Sequence, residues 1–479
     1  MKRSRDEVLF AAGVALWIAL MLLTWPRALS FGDEIGYVGR AKLLLAGHLG
    51  YVPGSPGVWV STPHGTVSQY PLMPSLLLAP FLAVWPRASF ALAMLAAVLL
   101  AATARAILRS WHKSPLWALL VLGHPTIVIL ARTDMADLPQ TAMLVAAWWA
   151  LRRGRAFATV AWLALLMAIK VTGVVLAAGL VASEVVASAR ALRARDRATW
   201  RRLGWGAAGG AAGGFLLLAL NRLSTGQFGF VYDHSNLSTP VSFWPTYLPA
   251  HAPPHLAALL LDPPLLFMGA WAYWKRGERG PVLLGGGYTA LMSAYFFIDT
   301  GANALESLVL SSRLILPVVA LLLIGYGAWL DDLLARARGR AAEMAGDAVP
   351  PPVIEPRAAA VAAFALPLAV AAGISVRHAR FQQGQGAVRD VASAAADAHG
   401  EHTLGVTENA WKAGLMHGGP TTPFDPARAR PAVVFCSEVS ASHRQRAPRR
   451  SCALPGYHVI DERDGFFALV RDDARGDAL

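Results

Sequence analysis

The chain has 479 residues, of which 55% are hydrophobic and only 15% charged, and its mean hydropathy is +0.43. A soluble protein of this length carries roughly a quarter charged residues. Apolar runs recur from residue 8 to about 375, so a soluble globular fold is excluded and a polytopic helical membrane protein is expected. The net charge of +13 follows from Lys and Arg in short loops between helices, the pattern of the positive-inside rule. Nucleic-acid binding, which wants basic and aromatic side chains interleaved on a soluble surface, is set aside.

The first apolar run, Val8–Trp25, follows Lys2-Arg3-Ser4-Arg5 and lacks a small-residue cleavage site, so it reads as a retained helix that starts in the cytoplasm. It delivers the chain into Phe31-Gly32-Asp33-Glu34-Ile35-Gly36-Tyr37. Ile35, Val38, Ala41, Leu45 and Leu49 recur at spacings of three and four, which predicts a helix with an apolar stripe lying in the interface. Asp33 stands at its start. Either it caps the helix, as Asp often does, or it is a functional carboxylate at a membrane surface, where a charge is costly to keep.

The first loop continues through His64 to Gln69-Tyr70-Pro71-Leu72-Met73-Pro74. Leu72–Trp85 is short and contains Pro74 and Pro80, between Pro71 and Pro86. Spanning needs roughly 20 helical residues, so this piece is expected to be juxtamembrane or re-entrant. Further along, Arg132-Thr133-Asp134-Met135-Ala136-Asp137 forms a second acidic turn between two spans. Ala156–Arg190 is apolar but interrupted at Lys170-Val171-Thr172-Gly173, which predicts a tight hairpin of two short helices. His124 beside Pro125 reads as a packed kink residue, and Gly209-Gly210 with Gly213-Gly214 permit close helix packing.

Spans are expected near 8–25, 88–108, 115–131, 138–151, 156–168, 171–189, 203–220, 255–274, 281–298, 313–330 and 357–375. These eleven put the N-terminus inside and the C-terminus outside. Inner loops then collect 22 Lys and Arg, outer loops eight; letting Leu72–Trp85 span would invert every later loop against that bias. Asp33, Asp134, Asp137, Lys170, Arg313 and the loop 221–254, with its Tyr232-Asp233-His234, fall together on the outer face.

From about Arg377 the composition becomes that of a small soluble domain. Gln382–His399 predicts a helix, Thr403–Thr407 and Ala432–Cys436 strands, and Tyr457–Glu462 with Phe466–Arg471 a hairpin about Arg463-Asp464-Gly465. Two domains are expected, 1–375 in the membrane and 376–479 an extracytoplasmic α/β unit. The only cysteines, Cys436 and Cys452, both lie in the second; they are either a disulfide, suited to an oxidising compartment, or two reduced thiols.

Together these motifs resemble those of the GT-C membrane glycosyltransferases. The nearest branch is the dolichyl-phosphate-mannose-protein mannosyltransferase-like and aminoarabinose-transferase-like one (glycosyltransferase family 39-like). The matching features are Gly32-Asp33-Glu34…Tyr37…Ala41-Lys42-Leu43-Leu44…Gly47 and the stretch Gln69–Pro74. Asp134, Lys170-Val171-Thr172-Gly173 and Arg313-Leu314-Ile315-Leu316-Pro317 complete them. The resemblance covers roughly residues 8–330. It implies transfer of a sugar from a polyprenyl-phosphate carrier to a glycan, lipid or protein acceptor on the extracytoplasmic side of a cell (inner) membrane. A carboxylate can take the acceptor's proton, and the departing lipid phosphate needs cations. By this resemblance Asp33 is general base or acceptor orienter, with Glu34 and Asp134 beside it. Asp33 and Asp134 are also the candidate ligands of a divalent metal ion. Lys170 and Arg313 are the candidate phosphate ligands, and Tyr70, His64 and Asp137 the remaining substrate contacts. Each has a plain alternative: capping for Asp137, snorkelling to headgroups for Lys170 and Arg313, and an ordinary loop role for Tyr70 and His64. The competing functional classes are a transporter or lipid flippase, which places ionisable residues near the bilayer midplane, and a non-catalytic assembly protein.

Overall fold

The computed structural model describes residues 5–473 apart from 49–58, 63–64, 230–242, 296–297, 299–303, 346–354, 402, 408–409, 418–420, 425–430 and 439–451. In chain order α1 (Arg5–Leu23) leads into α2 (Gly32–Leu45), the hairpin of β1 (Trp59–Thr62) and β2 (Gly65–Ser68), and α3 (Leu72–Val84). Then come α4 (Ala91–Ser110), α5 (Leu119–Gly123), α6 (Pro125–Leu130), α7 (Asp137–Arg152), α8 (Ala156–Ile169) and α9 (Thr172–Ala187). Next are α10 (Ala189–Arg193), α11 (Arg197–Thr225), α12 (Leu248–Leu261), α13 (Met268–Lys275), α14 (Arg279–Ser293), α15 (Ala304–Ser311) and α16 (Leu316–Ala345). Helix α17 (Pro356–Ala398) leads into β3 (Leu404–Val406), α18 (Trp411–Gly414), β4 (Thr421–Pro423), β5 (Val433–Ser437), β6 (Tyr457–Arg463) and β7 (Phe466–Arg471).

Among the described residues five helical stretches are long and apolar enough to cross a membrane: Arg5–Leu23, Ala88–Ser110, Arg197–Thr225, Leu316–Ala341 and Arg357–Ala398. Helices α3, α8 and α9 are apolar but shorter. Two stretches expected as single spans are broken. The one at 115–131 stops at His124 because Pro125 has no N–H to give the preceding turn. The one at 255–274 stops at Asp262, ahead of Pro263 and Pro264. The two breaks meet: His124 Nε2 lies 3.1 Å from the Asp262 carbonyl and 3.6 Å from its carboxylate. Helix α11 lies against α8 at the glycines the sequence marked. A Cβ on Gly209 would come within 3.1 Å of the Val160 backbone, and one on Gly213 within 3.1 Å of Ala164.

Ion pairs tie helix ends and loops together. Glu7 pairs with Arg105 at 2.6 Å and Arg109 at 3.1 Å, and Asp6 with Arg357 at 2.6 Å. Arg276 reaches Asp332 at 2.8 Å, while Arg152 holds Glu278 at 2.9 Å and Glu184 at 3.6 Å.

The first half of α17 packs beside α5 and α6, and its second half packs on a five-stranded sheet of order β4-β3-β5-β7-β6. One continuous helix therefore joins the expected last span to the expected first helix of the soluble domain, passing residue 375 without a break. Strand β3 is parallel to both β4 and β5, and β7 is antiparallel to β5 and β6. The β6–β7 turn falls on Asp464 and Gly465, both at positive φ (53° and 81°), the conformation a tight two-residue hairpin requires. Cys436 and Cys452 are joined as a disulfide, with Cα atoms 5.8 Å apart.

Candidate active site

Helix α2 begins with Phe31 as its N-cap residue, so Asp33 and Glu34 occupy the first turn, where negative charge complements the helix dipole. Asp33 is therefore not the cap. Glu34 does the local work: its Oε2 accepts from the Ser30 N–H at 2.6 Å and the Phe31 N–H at 2.5 Å, the reach-back half of a capping box. Its Oε1 accepts from the Asp134 N–H at 2.6 Å, which joins the first acidic turn to the second. Arg132 fixes that second turn to the end of α1 by donating to the Thr24 carbonyl from Nε (3.0 Å) and Nη2 (2.8 Å).

The apolar stripe expected on α2 is shifted. Tyr37, Val38 and Ala41 are its buried face, packed with α3, while Ile35 is half-buried and Leu45 exposed. Arg40 is buried as well and donates to the Tyr70 carbonyl at 2.9 Å. That bond, and the bare Cα of Gly36, seat Tyr70 on the helix: a Cβ on Gly36 would fall 2.6 Å from the Tyr70 ring. One turn away from Gly36, the Tyr70 hydroxyl donates to Asp33 Oδ1 at 2.9 Å.

Asp33 Oδ2 is held by Arg313 Nη2 at 3.1 Å. Arg313 stands in the turns just before α16, its guanidinium 4.9 Å from the centre of the Phe31 ring. Its Nε lies 3.6 Å from Asp137 Oδ2, and Lys170 Nζ donates to Asp137 Oδ1 at 2.7 Å. Lys170 ends α8, and the hairpin behind it is tight because Gly173 has no Cβ; one placed there would overlap the Leu166 carbonyl at 1.8 Å. Two carboxylates and two cations, drawn from four separate segments, thus form one charged cluster with Tyr70. Asp33 is its most accessible charged member, its side chain 33% exposed against 5% for Asp137 and 6% for Arg313.

Asp134 belongs behind this cluster. It is buried, its Oδ2 accepts from Ser89 Oγ at 2.8 Å, and its Oδ1 has no hydrogen-bond partner among the described residues. Burial, with the Glu34 carboxylate beside it, pushes its carboxyl well above the usual range. His64 and Tyr232-Asp233-His234 lie outside the described residues.

No family model and no curated protein matches the chain. Solved structures do. ArnT from Cupriavidus metallidurans bound to undecaprenyl phosphate superposes with a TM-score of 0.62 at 14% identity, covering 96% of this chain and 97% of that one. The same protein in the apo state gives 0.61 at 15% identity, covering 98% of each. The chain has the GT-C fold.

Within that GT-C frame, the residues selected from sequence separate into two groups. Asp33, Tyr70, Asp137, Lys170 and Arg313 meet directly, whereas Glu34 and Asp134 brace the turns beneath them. Of the two carboxylates named as candidate metal ligands, Asp33 turns to Arg313 and Tyr70 and Asp134 to Ser89. Among the described residues no three His, Cys, Asp or Glu side chains converge as a metal site. Sequence reasoning missed Ser89, Gln140 and Tyr288. Gln140 Nε2 donates to Thr172 Oγ1 at 3.0 Å next to the Lys170 hairpin, and Tyr288 is buried on α14, which packs against α9. No spacing or motif marks these residues; only the fold brings them there. Below Tyr288, between α9 and α14, runs a mainly apolar groove of about 290 Å3, lined by Val175, Gly179, Ala182, Leu284, Gly287 and Leu291 among others.

Proposed function

We propose that this chain is an integral membrane glycosyltransferase that takes a sugar from a polyprenyl-phosphate-linked donor and passes it to an acceptor on the extracytoplasmic face. In this reading the N-terminus is cytoplasmic, and the C-terminal domain stands outside with the charged cluster. The observation that carries it is Arg313 lying between Asp33 and Asp137, with Lys170 on Asp137, in a fold shared with ArnT, of which one structure holds undecaprenyl phosphate.

Asp33 is the base or acceptor orienter. The acceptor oxygen attacks the anomeric carbon, its proton passes to the Asp33 carboxylate, and the bond from that carbon to the phosphate oxygen breaks with its electrons staying on the phosphate. Arg313 and Lys170 meet the charge that develops there, Arg313 through its planar fork and Lys170 as a point charge. Before donor arrives, Asp33 and Asp137 hold both cations in place; a bound phosphate competes for them and releases Asp33 towards the acceptor. The lipid tail has an apolar path in the groove between α9 and α14. The transporter alternative loses ground because the charged cluster lies at helix ends and loops.

The test compares cells with and without the gene by mass spectrometry of lipid-linked sugars and envelope glycans, with an Asp33→Asn chain as third arm. A glycan that disappears in both, while its lipid-linked precursor accumulates, is the expected result. Unchanged glycans and precursors in the absence of the chain refute the reading.

A further inference from the structure

Helix α17 reaches back to the loop that delivers Asp33. Gln382 and Arg389, seven residues apart on its second half, are both buried at 2% exposure. Gln382 Oε1 accepts from the Arg27 N–H at 3.3 Å, and its Nε2 donates to the Ala28 carbonyl at 2.8 Å and to Ser30 Oγ at 3.4 Å. Arg389 Nη1 donates to the Arg27 carbonyl at 2.9 Å. Segment 27–30 is thus gripped by two side chains from more than 350 positions away in sequence. It is the same segment whose Ser30 N–H, with that of Phe31, is bound by Glu34 in the first turn of α2. Phe31 in turn lies against Arg313.

Two glycines between the gripping residues make room on either side of the helix. A Cβ on Gly386 would meet the Arg27 side chain at 3.3 Å, and one on Gly384 would meet Asp464 of the β6–β7 turn at 2.3 Å. Glycine in a helix interior costs about 1 kcal/mol each, and here it lets α17 be clasped by the 27–30 loop and by the sheet at one level.

We propose that Gln382 and Arg389 are positioning residues, through which the C-terminal domain holds segment 27–31, and with it the α2 terminus, in the geometry that points Asp33 at the acceptor. The proposal rests on Asp33 being the catalytic carboxylate. It gives the soluble domain a role in turnover that is separate from any acceptor contact.

The experiment uses the full chain in lipid nanodiscs for amide hydrogen exchange and in cells for glycan product measured by mass spectrometry. Its variants are Gln382→Ala, the near-isosteric Gln382→Glu, Arg389→Ala, Arg389→Lys and Asp33→Asn. Gln382→Glu and Arg389→Ala should raise exchange at residues 27–37 at least tenfold, leave the sheet unaffected, and cut product per folded molecule by about tenfold or more. Arg389→Lys should restore most of both. Normal exchange at 27–37 with normal product overturns the positioning role, and so does a loss of protection spread equally over the sheet, which is stability alone. If Asp33→Asn retains full product, the functional reading fails, while exchange at 27–37 still judges the grip.

Discussion

Asp33 and Glu34 are adjacent in sequence but differently engaged, Asp33 with the Tyr70 and Arg313 side chains and Glu34 with backbone N–H groups, so the proposed catalytic role of Asp33 is separable by substitution. Glu34→Gln leaves backbone N–H groups of Ser30, Phe31 and Asp134 short of their charged acceptor. It is expected to cost about 1–3 kcal/mol of stability and lower the melting temperature, with modest effect on turnover per folded molecule. Asp33→Asn should do the reverse, cutting turnover by at least about 100-fold with little change in melting. Asp134 supplies a sharper check because its folded carboxyl is raised, by burial first and by Glu34 second. A raised carboxyl is stabilising while protonated, and that contribution is lost as pH rises from the unfolded value near 4 through the folded one. Asp134→Asn mimics the neutral acid, so its melting temperature at pH 7 should equal or exceed that of the native chain. A fall of several degrees would show that Asp134 is needed as a carboxylate.

The elements were legible from sequence wherever a local pattern decided them. Proline crowding kept Leu72–Val84 short, Lys170-Val171-Thr172-Gly173 marked a hairpin, and Arg463-Asp464-Gly465 marked a turn. Patterns that depend on partners were not legible. Hydropathy showed 115–131 and 255–274 as continuous; His124-Pro125 marked a kink in the first, but nothing in the sequence showed that the two breaks meet. The run from 356 to 398 read as two elements because its composition changes, yet the backbone has no reason to stop there and forms one helix. On α2 the buried face is set by α3, not by hydrophobic spacing, which is why Arg40 lies inside and Leu45 outside. The α8–α9 hairpin carries its own prediction. Gly173→Ala forces a methyl group into the Leu166 backbone, an overpacking expected to cost about 1–3 kcal/mol and to displace Lys170. If Lys170 meets the donor phosphate as proposed, polyprenyl-phosphate affinity measured on the folded fraction should fall with it; unaltered affinity would detach Lys170 from phosphate binding.

At the scale of the whole molecule, α17 and the C-terminal residues that follow it meet the chain at both ends of α2. Its start is gripped from α17, and near its end Lys42 donates to the His417 carbonyl at 2.5 Å, beside α18. Burial, then the nearby Arg389, pushes the Lys42 ammonium down to about 8. Burial, then Lys42, pushes the His417 imidazole down as well. Both groups resist charging when the contact is made, so both act in the same direction. For Lys42 the unfolded chain binds more protons between pH 8 and the ordinary lysine value near 10.5, and stability therefore rises with pH through that window, by at most about 3 kcal/mol. For His417 the contact weakens as pH falls below the ordinary histidine value near 6.5. Lys42→Met keeps the apolar stem and removes the titration. The difference in melting temperature between native chain and Lys42→Met should move in favour of the native chain as pH is raised from 8 to 10. Curves that run parallel over that range would mean Lys42 is hydrated in solution and that the domain contact at this end of α2 is open.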